Sequence, residues 1–178
     1  MRSSLVSNKL HAVARFAQFC VRNPDLLTDA LISQTMNIAV RKLHDFGECH
    51  LGLGKYLGHP FWSRDARALL DANSGKIRGI TKHLAHEHVI PVHIVVEELL
   101  ALPETASVSR FEEAIRDLSL VAIITRKEEA EQLRPVKLTD APGRWFVTDP
   151  WWRYRKAGRL SKMVDDAGKP ISRTTRDQ

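Results

Sequence analysis

The chain reads as an α+β protein, predominantly α-helical, with two long N-terminal helices and a small two- or three-stranded sheet flanked by helices. Three observations predict this. Apolar residues recur every three or four positions through the first 45 residues, which is the period of a helix with one buried face. A short continuous apolar run at 120–124 has the length and character of a buried strand. Capping signals and prolines cut the rest of the chain into segments of helical length.

Over 5–21 the stripe is Val6, Leu10, Val13, Phe16, Ala17 and Cys20. Asn23-Pro24 ends that helix and opens the next, whose stripe Leu27, Leu31, Ile38 and Leu43 runs to Gly47. Gly47, Gly52, Gly54 and Gly58 with His59-Pro60 predict a loop. Ser63 caps a helix that reaches Asn73 and stops at Gly75, with Trp62 stapling its start. Residues 76–90 mix β-branched residues without a helical stripe and read as one strand or a hairpin. A helix follows between Pro91 and Pro103, and Ser109 with Glu112 forms a capping box for another. The strand at 120–124 leads into a second box, Thr125 with Glu128, and a helix over 126–133 that Pro135 ends. The crossover between the two strands is long enough for parallel pairing. Asp149-Pro150 then opens a basic, aromatic helix running from Trp151. The expected organisation is one compact domain over 1–163, helical at 1–75, mixed at 76–134, basic and aromatic at 135–163. A disordered basic tail is expected at 164–178.

Composition narrows the class. At 178 residues, 43% apolar and 27% charged, the chain suits one soluble domain with a modest core. No run approaches a membrane span, and Lys9, His11 and Arg15 interrupt any signal-peptide core, so the expectation is a cytoplasmic protein. Two cysteines without a CxxC spacing exclude a disulfide framework or a cysteine zinc finger.

The net charge of +6 is segmental. Residues 134–178 hold 11 Lys/Arg against 5 Asp/Glu, whereas 97–133 hold 4 against 9. A basic surplus of this kind suits a polyanion, because neutralised phosphates release counterions; it equally suits a solubilising surface. Arg144, Arg153, Arg155, Lys156, Arg159 and Lys162 are the candidate phosphate contacts, interleaved with Trp145, Trp151, Trp152 and Tyr154. Those rings either stack on unpaired bases or anchor the segment on the core, and anchoring is expected for at least one tryptophan. The acidic stretch at 97–133 is the candidate face for a protein partner.

All eight histidines precede residue 94, and His83, His86, His88 and His93 fall within eleven residues. On a strand His86 and His88 share one face while His83 and Glu87 share the other, so the i, i+2 imidazole pair suits a divalent metal, with His93 as a third ligand. A looser group, His44, Asp45, Cys49, His50 and His59, fits no standard zinc spacing.

The segment Glu87-His88-Val89-Ile90-Pro91 resembles the acidic-His-apolar-apolar-Pro signature of the His-Asn-His (HNH) nucleases. In that family the motif ends the first strand of a ββα-metal finger, the histidine activates water and the acidic residue helps hold the metal. The resemblance implies His88 as general base, Glu87 as ligand and Mg²⁺, Mn²⁺ or Zn²⁺ as cofactor. Here a helical segment, VHIVVEELL, stands where the family has a glycine turn and second strand, and no histidine follows residue 93. Two readings stay open. One is a metal-dependent phosphodiesterase using the His83 to His93 cluster. The other is a non-catalytic protein of phage or mobile-element type that binds or blocks a nucleic acid or a protein–nucleic-acid complex.

Overall fold

The computed structural model describes residues 3–26, 28–45, 56–165 and 168–171. The first two helices are α1 (Ser3–Arg22) and α2 (Asp29–Asp45). Helix α1 buries Leu10, Ala14, Ala17 and Cys20 along one face. Helix α2 begins at Asp29, not at Pro24, because Asn23 turns backward: its Nδ2 donates to Phe19 O at 2.8 Å and closes the end of α1. Residues Pro24–Leu26 form a separate 3₁₀ turn, and the Thr28 hydroxyl accepts from Leu31 N at 3.3 Å to start α2.

Helices α4 (Val92–Leu100) and α5 (Val108–Leu118) complete a four-helix layer whose core includes Met36, Val40, Val95, Leu99, Phe111 and Ile115. The cap of α5 is Ser107, two residues before the expected Ser109; its hydroxyl accepts from Arg110 N at 3.3 Å. Gln18 Nε2 donates to Ala106 O at 2.7 Å and ties α1 to that helix entry.

The second layer is a four-stranded mixed sheet in the order β2-β3-β1-β4. Its strands are β1 (Phe61–Ser63), β2 (Leu84–His88), β3 (Val121–Thr125) and β4 (Met163–Val164). Strand β1 runs parallel to β3 with Trp62 opposite Ile123. Strand β2 runs antiparallel to β3, with His86 opposite Ile123 and His88 opposite Val121. This corrects the expected parallel pairing. The connection holds two helices, so the chain leaves β2 on α4 and returns on α5 to the end it left. Val89 N closes this long hairpin on Leu120 O at 2.9 Å. Only 84–88 of the expected 76–90 strand is extended; a 3₁₀ turn, Thr81–His83, precedes it.

Each sheet face is covered. Helix α3 (Arg64–Ala72) packs Ala66 and Leu70 against Trp62, Leu84, Val121, Ile123 and Val164. The C-terminal segment covers the other face, with Trp151 and Tyr154 packed against Ala85, Ala122, Ile124 and Met163. Helices α7 (Trp145–Thr148) and α8 (Trp152–Lys156) are short. The expected longer basic helix stops because Gly158 takes a φ of 67° and Arg159 N closes back on Tyr154 O at 2.7 Å. The chain then enters β4, antiparallel to β1, a strand absent from the sequence reading. Part of the expected tail is also packed: Val164 bridges Pro170, and Ile171 is buried with its N–H on Met163 O at 3.0 Å.

Among the described residues no helix is long and apolar enough to cross a membrane.

Candidate nucleic-acid interface

The alternation of β2 sorts its polar side chains between two faces. His86 and His88 follow Leu84 onto the face that α3 covers, and their ring centroids lie 5.6 Å apart, edge to face. His59, buried before β1, joins them at 4.7 Å from His86. It is held there because Trp62 Nε1 donates to the His59 carbonyl at 3.1 Å. The structure thus brings one histidine of the looser group to two of the cluster. Cys49 and His50 lie outside the described residues, as do the side chains of His44 and Asp45 and the glycines at 47, 52 and 54.

Glu87 points to the opposite face and pairs with Arg153; the two side chains are 19% and 12% exposed. The acidic residue and the histidine of the HNH-like segment therefore lie on opposite faces of β2, with Glu87 engaged by Arg153. His93 is exposed in the first turn of α4, and no ring contact joins it to the other imidazoles among the described residues. His83 lies in the 3₁₀ turn, not on the strand. Among the described residues no group of three His, Cys, Asp or Glu side chains has the arrangement of a metal site.

The C-terminal cations are drawn into the fold. Arg153 is mostly buried against Glu87, and burial pulls its pKa below the ordinary guanidinium range. Arg155 pairs with Asp149, and Arg144 pairs with Glu98 while its guanidinium lies 5.8 Å from the Phe146 ring. Arg159 is half-buried with Nη1 sealed from solvent. Of the six expected contacts Arg144, Lys156 and Lys162 are exposed, and Arg144 is already paired with Glu98. The aromatic residues are anchors: Trp151 packs edge to face on Phe61 at 5.0 Å and on Tyr154 at 5.1 Å, and Trp145 lies 5.8 Å from Trp152. The acidic stretch is likewise partly spoken for. Glu98 faces Arg144, Glu112 faces His11 and Arg116, Glu113 faces Arg110, and Glu129 faces Arg134.

A different basic surface lies at the carboxyl ends of the parallel strands β1 and β3. Each strand ends in a hydroxyl that caps the next helix: Ser63 accepts from Ala66 N at 3.1 Å, and Thr125 accepts from Glu128 N at 3.1 Å, the start of α6 (Arg126–Glu128). This is the capping box the sequence predicts. Glu128 then reaches further than a box requires. Its Oε2 accepts from Thr125 N at 2.8 Å, Thr125 Oγ1 at 2.9 Å and Ser63 Oγ at 2.7 Å, so one buried carboxylate ties both strand ends together.

Beside this node a groove of about 540 Å³ opens between α3, the turn before β2 and the start of α6. Ala68 and Leu69 of α3 give it an apolar lining; Lys82, His83, Arg126 and Lys127 line it as well, with Asp65 as the one acidic group of the lining. None of Lys82, Arg126 and Lys127 is in an ion pair with a described residue, and all three are exposed. Charge counting misses this surface because Arg126 and Lys127 sit inside the acidic stretch. The available signal was local: two cations directly after a capped strand end, where α/β sheets commonly seat ligands. Compared with known proteins, the chain matches no family model, no curated protein and no solved structure.

Proposed function

We propose that the protein binds nucleic acid electrostatically and without cutting it. The observation that carries this reading is the groove rim: Lys82, Arg126 and Lys127, with His83 beside them, are exposed and have no carboxylate partner among the described residues. Lysine and arginine in that state gain most from phosphate, since no internal pair must be broken to bind it. The test is anisotropy of a labelled oligonucleotide titrated with protein over a range of salt. Binding should weaken with salt at about 0.7 to 0.9 logarithmic units per logarithmic unit of salt for each phosphate engaged. It should survive chelation of divalent metals and His88→Ala. Absence of binding at low salt would overturn the reading.

One observation favours a second reading, the metal-dependent phosphodiesterase implied by the HNH-like segment. His59, His86 and His88 gather on one face of the sheet, from two regions of the sequence. Nuclease activity in Mg²⁺, Mn²⁺ or Zn²⁺ that disappears in folded His88→Ala protein would decide for it.

A further inference from the structure

We propose that the groove between α3 and the start of α6 takes a single unpaired nucleotide and the phosphates on either side of it, so that the preferred ligand is single-stranded nucleic acid. This deepens, and rests on, the nucleic-acid reading above. The lining is divided chemically. Ala68 and Leu69 of α3 supply an apolar surface that serves as the floor, while Lys82 in the turn before β2 and Arg126 and Lys127 at the neighbouring start of α6 are cationic. A phosphate group alone has no use for an apolar floor. A nucleobase does, because its face is apolar and can be laid against hydrocarbon while the phosphates beside it reach cations.

Asp65 strengthens the assignment. A carboxylate among cations is a poor neighbour for phosphate, but it accepts hydrogen bonds from base amino groups. Its place on the first turn of α3 directs the base toward α3 and the sugar–phosphate chain toward Arg126 and Lys127. In a duplex the faces of the bases are covered by their neighbours, so the floor would stay empty and only phosphates would be engaged. The volume of about 540 Å³ falls in the range of pockets that hold a small organic molecule. The groove is framed by rigid elements, since Glu128 fastens the ends of β1 and β3 beneath it. DNA and RNA both present a base face and a phosphate chain, so the choice between them is left to the two arms of the experiment.

The experiment uses the full chain and a labelled oligonucleotide of about 12 nucleotides, as single-stranded DNA, as single-stranded RNA and as the DNA duplex. The proteins are wild type, the Lys82→Ala/Arg126→Ala/Lys127→Ala variant, Ala68→Glu, and Lys156→Ala/Lys162→Ala as a control on the other face. All of the substituted side chains are exposed, and circular dichroism confirms folding. At least one single-stranded arm should bind about tenfold or more tightly than the duplex. The triple variant and Ala68→Glu should each weaken that binding by about tenfold or more, and the control by less than about twofold. Full binding by the triple variant would overturn the groove as the site while leaving nucleic-acid binding intact. Equal or tighter duplex binding, or an Ala68→Glu variant that binds like wild type, would overturn the single-strand assignment. No binding of any arm by wild type would overturn the proposal together with the reading it rests on.

Discussion

The rim of the groove and the C-terminal cap both concentrate cations, and the fold treats them in opposite ways. In the cap, Arg153 meets Glu87 across 66 residues of sequence and Arg144 meets Glu98 across 46. These arginines hold the segment onto the sheet and the helical layer, and their charge is answered inside the molecule. At the rim, Arg126 and Lys127 are followed at once by Glu128, Glu129 and Glu131, yet Glu128 is buried beneath Ser63 and Thr125 and Glu129 turns to Arg134. Neighbouring acidic residues do not neutralise the rim; distant ones do neutralise Arg144 and Arg153 of the cap. A charge surplus counted along a sequence therefore says where cations are made, not where they are available.

The sharpest way to break this comparison is to remove the cap's answer to its own charge. Glu87→Gln leaves the mostly buried Arg153 guanidinium without a counter-charge, an arrangement that costs about 3 kcal/mol. Urea unfolding should show that loss, and the Glu87→Gln/Arg153→Met double variant should recover most of it. Oligonucleotide affinity of the folded protein should stay unchanged in both. A weaker affinity in the double variant would put the cap back among the binding surfaces.

Ser63→Ala acts on the other region. It removes the cap of α3 and one of the donors to the buried Glu128 carboxylate, a cost of about 2 kcal/mol. Because the same carboxylate holds the turn that carries Arg126 and Lys127, this variant should also weaken oligonucleotide binding, by about threefold, which is about 0.6 kcal/mol by the usual conversion. Loss of stability with no change in affinity would separate the node from the groove.

How far the sequence anticipates all this depends on the range of the interactions. The capping box at Thr125 and Glu128 is local, four residues long, and appears as expected. The helical stripe of α1 and the apolar run of β3 are also local periodicities, and they fix the fold class. Strands β1 and β4, three and two residues long, are held by pairing with distant partners and carry too little pattern to be read. The antiparallel turn of β2 onto β3 depends on α4 and α5 returning the chain, a property of two helices together. In the same way the alternation of β2 places His86 with His88, but only the tertiary fold adds His59 to them. The expected role of Glu87 beside His88 is implied by the resemblance alone; alternation along a strand already puts the two side chains on opposite faces, and only the tertiary fold supplies Arg153 as the partner of Glu87.

The smallest expected effect belongs to the cap's other buried polar group. The Tyr154 hydroxyl is sealed in the core and has no hydrogen-bond partner among the described residues. Burial pushes its pKa well above the ordinary phenol range; Arg153 pulls it back in part, and Glu128 and Glu129 push it further up. Below about pH 10 the phenol is neutral in both the folded and the unfolded chain, and stability does not depend on it. Above that pH the unfolded chain gives up the proton and the folded chain keeps it, so the unfolded state binds fewer protons and stability falls as pH rises. The slope from this one group approaches about 1.4 kcal/mol per pH unit. Tyr154→Phe should therefore be within about 1 kcal/mol of wild type at neutral pH, since no hydrogen bond is lost. It should lose stability less steeply than wild type between about pH 10 and 11. The Cys20 thiol, also raised by burial, contributes its own alkaline slope equally to both proteins. The difference between the two urea-unfolding profiles then isolates Tyr154, and parallel profiles would mean that its hydroxyl reaches solvent or a partner when the cap moves.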